Sequence, residues 1–270
     1  MNTFKIDESQ ELIRKEGKDN LWILHVNGVP QSFTPSRLYK YYGLNENNID
    51  AIKNSYLYLN NPAEFNDPFD CSYNLIKEKQ IRPVDRFPVP TQNNVGNKGI
   101  CCFSTVDNNP LMWPHYTDSY NGFVIKMKHT FRIVQEEGMA GHRLMRVIYS
   151  NDPSKVSETM PFANSYQLGV KLAHWSYENE WRLVIDKTDN NFRKLKYIKE
   201  DIEEFIFGFK FLVDKKDILQ NELRDKLLKI IRDKFPDVPK FIMGPDFNSF
   251  KLKKVPLYEA RDIYDFNFDN

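Results

Sequence analysis

Short runs of aliphatic and aromatic residues, bounded by turn-forming residues, recur along the chain and predict strands. The first run ends at Asn27-Gly28, a dipeptide typical of tight turns. The predicted strands cover residues 21–26, 37–42, 56–59, 99–103, 122–127, 144–149, 180–185 and 203–211, with a final pair near residues 240–257. Strands are therefore the main element of this chain.

Helical spacing is confined to fewer segments. It is clearest at residues 218–231, where apolar side chains recur every three or four positions. The predicted helices cover residues 45–53 after an Asn N-cap, Asn109-Pro110 to Tyr116, residues 164–174 and residues 218–231. Helices interspersed among strands predict an α+β fold, with mixed strand-rich central sheets, short helices and a C-terminal strand-helix-strand appendage.

The chain has 270 residues, which we interpret as a single domain. We expect an N-terminal lead at residues 1–32, a core at residues 33–211 and the appendage at residues 212–270. Residues 77–98 contain three prolines and several asparagines without periodicity. This composition predicts a mobile insertion or lid.

Composition narrows the class of protein. A hydrophobic fraction of 41% supports a sizeable core and argues against global disorder. The 38 basic and 37 acidic residues give a net charge of +1, so the overall charge does not indicate a nucleic-acid partner. The chain has no long apolar run and begins with polar residues, so we expect a cytoplasmic protein without a membrane partner.

Cysteine and histidine positions bear on metal chemistry. The three cysteines include the adjacent pair Cys101 and Cys102, which fits neither a disulfide framework nor a zinc motif. The five histidines are scattered along the chain. We therefore expect reduced thiols and no metal cofactor.

Four clusters concentrate side chains that could carry chemistry. They are Tyr39-Lys40-Tyr41, the loop around Asn66 and Asp67, the segment with Trp113, His115 and Tyr116, and the segment with Glu178, Glu180 and Arg182. Each cluster also has a purely structural interpretation: an edge strand, an Asx turn, a core histidine and a surface row of ion pairs, respectively. Spacing alone leaves both interpretations open.

Common catalytic motifs are missing from the sequence. It contains no dinucleotide-binding glycine fingerprint, no phosphate-binding Walker loop, no zinc-protease motif and no nucleophile elbow. A magnesium-dependent nuclease using Asp67, Glu178 and Glu180 stays open as a less favoured alternative.

The order of the four clusters closely resembles a bacterial and phage family known as a domain of unknown function. The resemblance spans about residues 37–211. Besides the four clusters, it rests on Cys102-Phe-Ser104, Gly122-Phe123 and Ile206-Phe-Gly208.

The order of elements also resembles, more loosely, the ADP-ribosyltransferase fold. In this comparison Tyr39 to Tyr41 corresponds to the first motif, and Ser104 with the segment from Trp113 to Tyr116 corresponds to the second. Glu178-x-Glu180 corresponds to the catalytic glutamate motif. The resemblance implies that NAD is a substrate and that the nicotinamide–ribose bond is cleaved.

The same resemblance implies roles for individual side chains. Glu180 would stabilise the oxocarbenium-like transition state, and Glu178 would orient or deprotonate an acceptor. Lys40 would contact the pyrophosphate, while Tyr41 or Tyr116 would stack on nicotinamide. The other implied NAD-binding residues are Tyr39, Ser104, Trp113, His115 and Arg182.

We therefore expect an ADP-ribosyltransferase-like enzyme or NAD glycohydrolase, with an unidentified macromolecular acceptor and a role in bacterial defence or as a toxin. The main alternative is a non-catalytic interaction or sensor module, in which the aromatic clusters are core and the Glu-x-Glu-x-Arg face is a row of ion pairs. The nuclease is the third hypothesis.

Overall fold

A computed structural model of the chain describes residues 2–16, 21–32, 34–77, 98–134, 141–186, 193–213 and 217–260. Its strands are β1 (Thr3–Lys5), β2 (Gln10–Arg14), β3 (Trp22–Val26), β4 (Val29–Pro30), β5 (Leu38–Tyr42), β6 (Tyr56–Tyr58), β7 (Gly99–Ser104), β8 (Phe123–Met127), β9 (His142–Arg146), β10 (Ile148–Tyr149), β11 (Val170–Lys171), β12 (Glu180–Ile185), β13 (Lys194–Lys196), β14 (Ile202–Gly208), β15 (Lys240–Pro245) and β16 (Leu252–Pro256). The α-helices are α1 (Glu46–Asn54), α2 (Met112–Tyr116), α3 (Ala163–Gly169) and α4 (Ile218–Lys234). Short 3-10 helices lie at Pro62–Glu64, Tyr73–Leu75, Ala173–Glu178, Lys199–Asp201 and Leu257–Glu259.

The central element is an eight-stranded mixed sheet. Its strand order is β16-β15-β14-β8-β5-β7-β12-β9. All neighbours in this sheet are antiparallel except β14 and β15, which are parallel and are connected through α4. The α+β class and the mixed strand-rich sheet predicted from the sequence are thus confirmed.

The largest hydrophobic core lies between this sheet and the two longer helices. Ile49 and Ile52 of α1 and Leu227 and Ile231 of α4 are buried against strand residues such as Phe205. The start of α1 is determined by a nearby residue. The Asn45 side chain caps the helix by accepting a hydrogen bond from the backbone amide of Asn48. The spacing of three or four between buried residues directs one face of each helix to the sheet.

A second, smaller core involves the N-terminal strands. The N-terminal strands β1 to β4 form a four-stranded antiparallel sheet. Phe4 and Leu12 of that sheet pack with Phe162 and Tyr166 near α3. The turn predicted after β3 is confirmed, because Asn27 and Gly28 both have positive φ.

Two glycines, Gly122 and Gly208, belong to motifs that the chain shares with the family of unknown function that it resembles, and both have a packing role. A Cβ atom on Gly122 would lie 2.1 Å from the carbonyl oxygen of Tyr42, and one on Gly208 would lie 2.2 Å from that of Tyr120. Both neighbours are backbone atoms, which cannot move aside without disturbing the sheet. These positions therefore require glycine so that the backbone at the ends of β8 and β14 can pack closely.

The sheet separates at one point near its middle. Strands β5 and β7 share a single residue pair, Tyr39 with Ser104. On its other side β5 pairs with β8 along its whole length, from Leu38 to Tyr42. Because β5 and β7 diverge beyond one pair, a space opens between two central strands.

The sequence misassigned the segment predicted as one helix over residues 164–174. The helix ends at Gly169, and Val170 and Lys171 form β11, which pairs in parallel with β10. The strand predicted at residues 144–149 is likewise two strands, β9 and β10. Tertiary pairing overrode the helical periodicity here. Most of the insertion or lid predicted at residues 77–98 lies outside the described residues.

We expect Leu227→Ala to destabilise the protein by about 2–5 kcal/mol, because it removes a fully buried side chain from the main core. Leu219→Ala on the same helix is a matched control, since Leu219 is 59% exposed and its truncation should change stability by less than about 0.5 kcal/mol. Urea denaturation of both variants measures the difference. Equal losses would contradict the packing of α4.

Candidate active site

A cavity of about 210 Å³ occupies the space between β5 and β7. Exposed Asn66 forms part of its wall, so the cavity reaches the surface. Its walls are Tyr39, Lys40, Tyr41, Asn60, Phe65, Asn66, Asp70, Cys102, Phe103, Ser104, Met112, Tyr116, Lys171, Glu178 and Glu180. Residues from all four sequence clusters therefore meet at one place.

Arg182 is the centre of a buried ion-pair network behind this cavity. Its Nη1 and Nη2 atoms each donate to one carboxylate oxygen of Asp70, at 2.7 Å in both cases. Its Nε and Nη2 atoms donate to Glu180, at 2.8 and 3.1 Å, and Nη1 also donates to the carbonyl of Leu168. The guanidinium is fully buried, and its fork geometry matches two carboxylates at once.

Lys171 joins the second glutamate to the network. Its Nζ atom lies 2.5 Å from Glu178, 3.1 Å from Glu180 and 3.8 Å from Asp70. With both glutamates ionised, three carboxylates face two cations, which leaves one net negative charge at the cavity wall. Such a wall favours a ligand on which positive charge develops.

The two glutamates differ in acidity. Burial and the neighbouring Glu180 carboxylate raise the pKa of Glu178 above its ordinary value. Burial would also raise the pKa of Glu180, but Arg182 and Lys171 outweigh it and lower that pKa to about 2. The pair therefore combines a carboxylate that is ionised at neutral pH with a more basic one, an arrangement typical of acid–base sites.

A backbone bend places the two carboxylates side by side. Glu178 ends a 3-10 helix, Asn179 has a positive φ of 45°, and Glu180 begins β12. The Ser104 hydroxyl donates to the carbonyl oxygen of Glu178 at 2.6 Å, which attaches the bend to β7. The Glu-x-Glu-x-Arg face of the non-catalytic interpretation therefore does not include Glu178, which precedes the strand, although the two carboxylates still converge.

Tyr116 fixes the orientation of Glu178 from the opposite side. Its hydroxyl donates to Glu178 Oε1, while Lys171 holds Oε2. The hydroxyl of Tyr41 donates to the carbonyl oxygen of Val106, so Tyr41 offers the cavity its ring. The cavity wall thus combines oriented carboxylates with aromatic surface.

Three polar side chains of the cavity wall have no polar partner among the described residues. The side chains of Lys40, Asn60 and Asn66 make no hydrogen bond or ion pair with any other residue that the structure describes. The Lys40 ammonium lies 5.7 Å from the centroid of the Tyr42 ring. These groups can supply one positive charge and two amides to a bound molecule.

The structure places several predicted site residues away from the cavity wall. Trp113 is fully buried in a core with Tyr41, and its indole donates to the carbonyl of Asp107. His115 is exposed, and Arg182 is fully buried behind the wall, where it binds Asp70 and Glu180. Asp67 accepts from the amide of Phe69, the Asx turn of the structural interpretation.

Sequence reasoning missed the two partners that complete the network, Asp70 and Lys171. Asp70 directly follows the Asn-Asp-Pro-Phe turn, so its nearness to a singled-out motif was a usable signal. Lys171 lay in a segment interpreted as helix, and no local pattern distinguishes it from a surface lysine. Its role depends on the pairing of β11 with β10.

The three cysteines are free thiols, as expected from the sequence. Cys102 lines the cavity, but burial and the charge of Glu180 raise its pKa well above the ordinary value, although Arg182 opposes this. A protonated thiol is a poor nucleophile, so Cys102 contributes shape to the site. Within the described ranges, no group of three His, Cys, Asp or Glu side chains is placed to hold a metal ion, and no helix could span a membrane.

A comparison with protein families found one match, which covers part of this site. The model of a family described as "Protein of unknown function (DUF2971)" matches residues 112–183, from the start of α2 into β12. This match confirms the resemblance to a family of unknown function. The matched segment contains Tyr116, Lys171, Glu178, Glu180 and Arg182. No curated protein and no solved structure matches the chain.

We expect Arg182→Met to destabilise the protein by about 3–5 kcal/mol, because the buried carboxylates of Asp70 and Glu180 would lose their arginine partner and keep only Lys171 as a nearby cation. The matched control is Lys194→Met, which removes a surface ion pair with Asp50 and should cost no more than about 1 kcal/mol. Urea denaturation at pH 7 measures both. Similar losses in the two variants would refute the buried network.

The lowered pKa of Glu180 predicts a pH-dependent stability difference between the wild type and Glu180→Gln. A carboxyl whose folded pKa is about 2, below its ordinary value of 4.5, stabilises the fold above pH 4.5. That contribution is lost as the pH falls from 4.5 towards 2. The wild type should be more stable by about 3 kcal/mol at pH 7, and the gap should narrow below pH 4.5. Urea titrations at several pH values measure it; a constant gap would contradict the assignment.

Proposed function

We propose that the chain is an NAD-consuming enzyme that cleaves the nicotinamide–ribose bond, in the manner of an ADP-ribosyltransferase or NAD glycohydrolase. The observation that carries the proposal is the meeting of Glu178, Glu180, Tyr116 and the Tyr39–Tyr41 segment around one cavity. The chain order of these motifs also supports the likeness to the ADP-ribosyltransferase fold.

The cavity suits the reactive end of NAD. Its volume of about 210 Å³ is small for a whole ligand site, which commonly spans about 300–1,000 Å³, but it can accept a nicotinamide ring with part of the ribose. Tyr41, Phe65 and Tyr116 provide aromatic surface for the ring. Lys40 has no ion-pair partner among the described residues and can contact a phosphate, and Asn60 and Asn66 can hydrogen-bond a carboxamide.

The charge of the cavity wall is complementary to the charge that develops on the ligand when the bond breaks. When the ribose C1′–N bond breaks, its electron pair leaves with neutral nicotinamide, and positive charge develops on the ribose. Ionised Glu180 and the net negative charge of its network stabilise that charge more in the transition state than in the ground state. The network therefore provides preorganised electrostatic stabilisation, because Arg182 and Lys171 hold the carboxylates in place.

The second glutamate suits the step that completes the reaction. An oxygen of water, or of an acceptor, forms the new bond to C1′ and gives up its proton. Glu178 can take this proton, because its raised pKa makes it a stronger base than an ordinary carboxylate. With water as the acceptor, NAD and water give ADP-ribose, nicotinamide and one proton.

The non-catalytic interpretation explains the network less well. A buried ion-pair network often adds little stability compared with apolar residues of similar size. Here three carboxylates share two cations beside an open cavity, and the two glutamates differ in pKa. An electrostatic function accounts for both the excess of carboxylates and the difference in pKa. A purely structural role requires neither of these two features.

We expect purified protein mixed with NAD to release free nicotinamide, followed by proton NMR. Glu180→Gln should lower the rate at least about a hundredfold, because it removes charge stabilisation that operates in the transition state. Glu178→Gln should also slow the reaction and remove the rise in rate as this carboxyl loses its proton.

Glu46→Gln is the control, since Glu46 lies exposed at the start of α1. Circular dichroism and thermal unfolding establish that each variant is folded before its rate is compared. Equal rates in the wild type and Glu180→Gln would refute the assigned chemistry. If the wild type neither releases nicotinamide nor binds NAD in isothermal titration, the non-catalytic interpretation replaces the proposal.

A further inference from the structure

An aromatic cluster adjoins the cavity but was assigned no joint role by the sequence. It consists of His115, Trp175 and Tyr177, which we call the outer aromatic cluster. The His115 ring centroid lies 6.4 Å from those of both Trp175 and Tyr177, and 6.2 Å from that of Tyr116. His115 is exposed, and Trp175 and Tyr177 are partly exposed.

The outer aromatic cluster is continuous with the cavity wall. Tyr116 belongs to that wall and contacts His115. Lys171 also belongs to the wall, and its Nζ atom lies 5.0 Å from the centroid of the Trp175 ring. Aromatic surface therefore continues from the carboxylates outward to solvent.

The size of the cavity requires a second contact region for a dinucleotide. About 210 Å³ is less than a typical site for a ligand of that size, so much of NAD must extend beyond the cavity. The carboxylates fix the nicotinamide end inside. The adenine end must then lie outside, where a flat, partly exposed aromatic surface is the chemistry that binds a base.

We propose that the outer aromatic cluster is the subsite for the adenine ring of the dinucleotide, with Trp175 as its main stacking surface. This inference rests on the proposed function for the direction in which NAD lies. It gives His115, which the resemblance implied only as an NAD-binding residue, the role of a side wall of the base subsite. The ring nitrogens of His115 make no hydrogen bond within the described part of the chain, so they are available to the edge of a base.

The test compares two fragments of NAD by isothermal titration. ADP-ribose contains adenine, whereas nicotinamide mononucleotide lacks it. Trp175→Ala should weaken ADP-ribose binding by about tenfold, the size of effect expected for loss of one stacked base, and leave mononucleotide binding within about twofold. Trp175→Phe should restore most of the ADP-ribose affinity, because it restores a stacking ring.

Phe250→Ala is the matched control, because Phe250 is a fully exposed ring in the loop between β15 and β16. It should change the affinity for neither fragment. An equal loss for both fragments in Trp175→Ala would show that Trp175 acts through Lys171 on the cavity, and it would overturn the subsite. Unchanged ADP-ribose binding, or none in the wild type, would overturn it as well.

Activity measurements separate this inference from the proposed function. If the wild type releases nicotinamide and Trp175→Ala has the same KM for NAD, the subsite is wrong and the proposed chemistry stands. If the wild type releases no nicotinamide but the two fragments still respond differently to Trp175→Ala, the base subsite stands and the chemistry is wrong.

Discussion

The double attachment of Arg182 to Asp70 and Glu180 is the interaction on which the candidate site depends. It connects strand β12 to a loop 112 residues earlier in the chain. Burying these charged groups costs free energy, and this cost is offset only because every carboxylate oxygen of Asp70 and Glu180 accepts a hydrogen bond from a cation. Lys171 then extends the network to Glu178. The site is therefore a product of long-range charge pairing, with the cavity on its solvent side.

The sheet provides the second constraint. In a continuous sheet, β5 and β7 would pair along their whole length and leave no space for a ligand. Here one residue pair holds them together, and the divergence beyond it exposes side chains of both strands to the same cavity. Close backbone packing at Gly122 and Gly208 keeps the β5, β8 and β14 side of the sheet compact. One side of β5 is thus fully paired, and the other is free to form a wall.

The two glutamates show how a fold separates the properties of identical side chains. Both are buried, which by itself raises the pKa of a carboxyl group. Glu180 accepts from Arg182 at both oxygens and is strongly acidic, whereas Glu178 is held by Lys171 and Tyr116 and feels the negative charge of its neighbour. The difference in acidity follows from the contact of Arg182 with Glu180 alone of the two glutamates and from the charge of Glu180 beside Glu178.

Local sequence determined much of this protein. The Asn45 cap, the spacing within α4 and the alternation in most strands act over a few residues, so the α+β class and most elements were predictable, as was the singling out of Tyr39–Tyr41 and Glu178 to Arg182. Only tertiary structure decided that Lys171 and Asp70 complete the site, and that Trp113 does not line the cavity. Ion pairing and burial depend on distances between segments that are far apart in the chain, and no local periodicity encodes those distances.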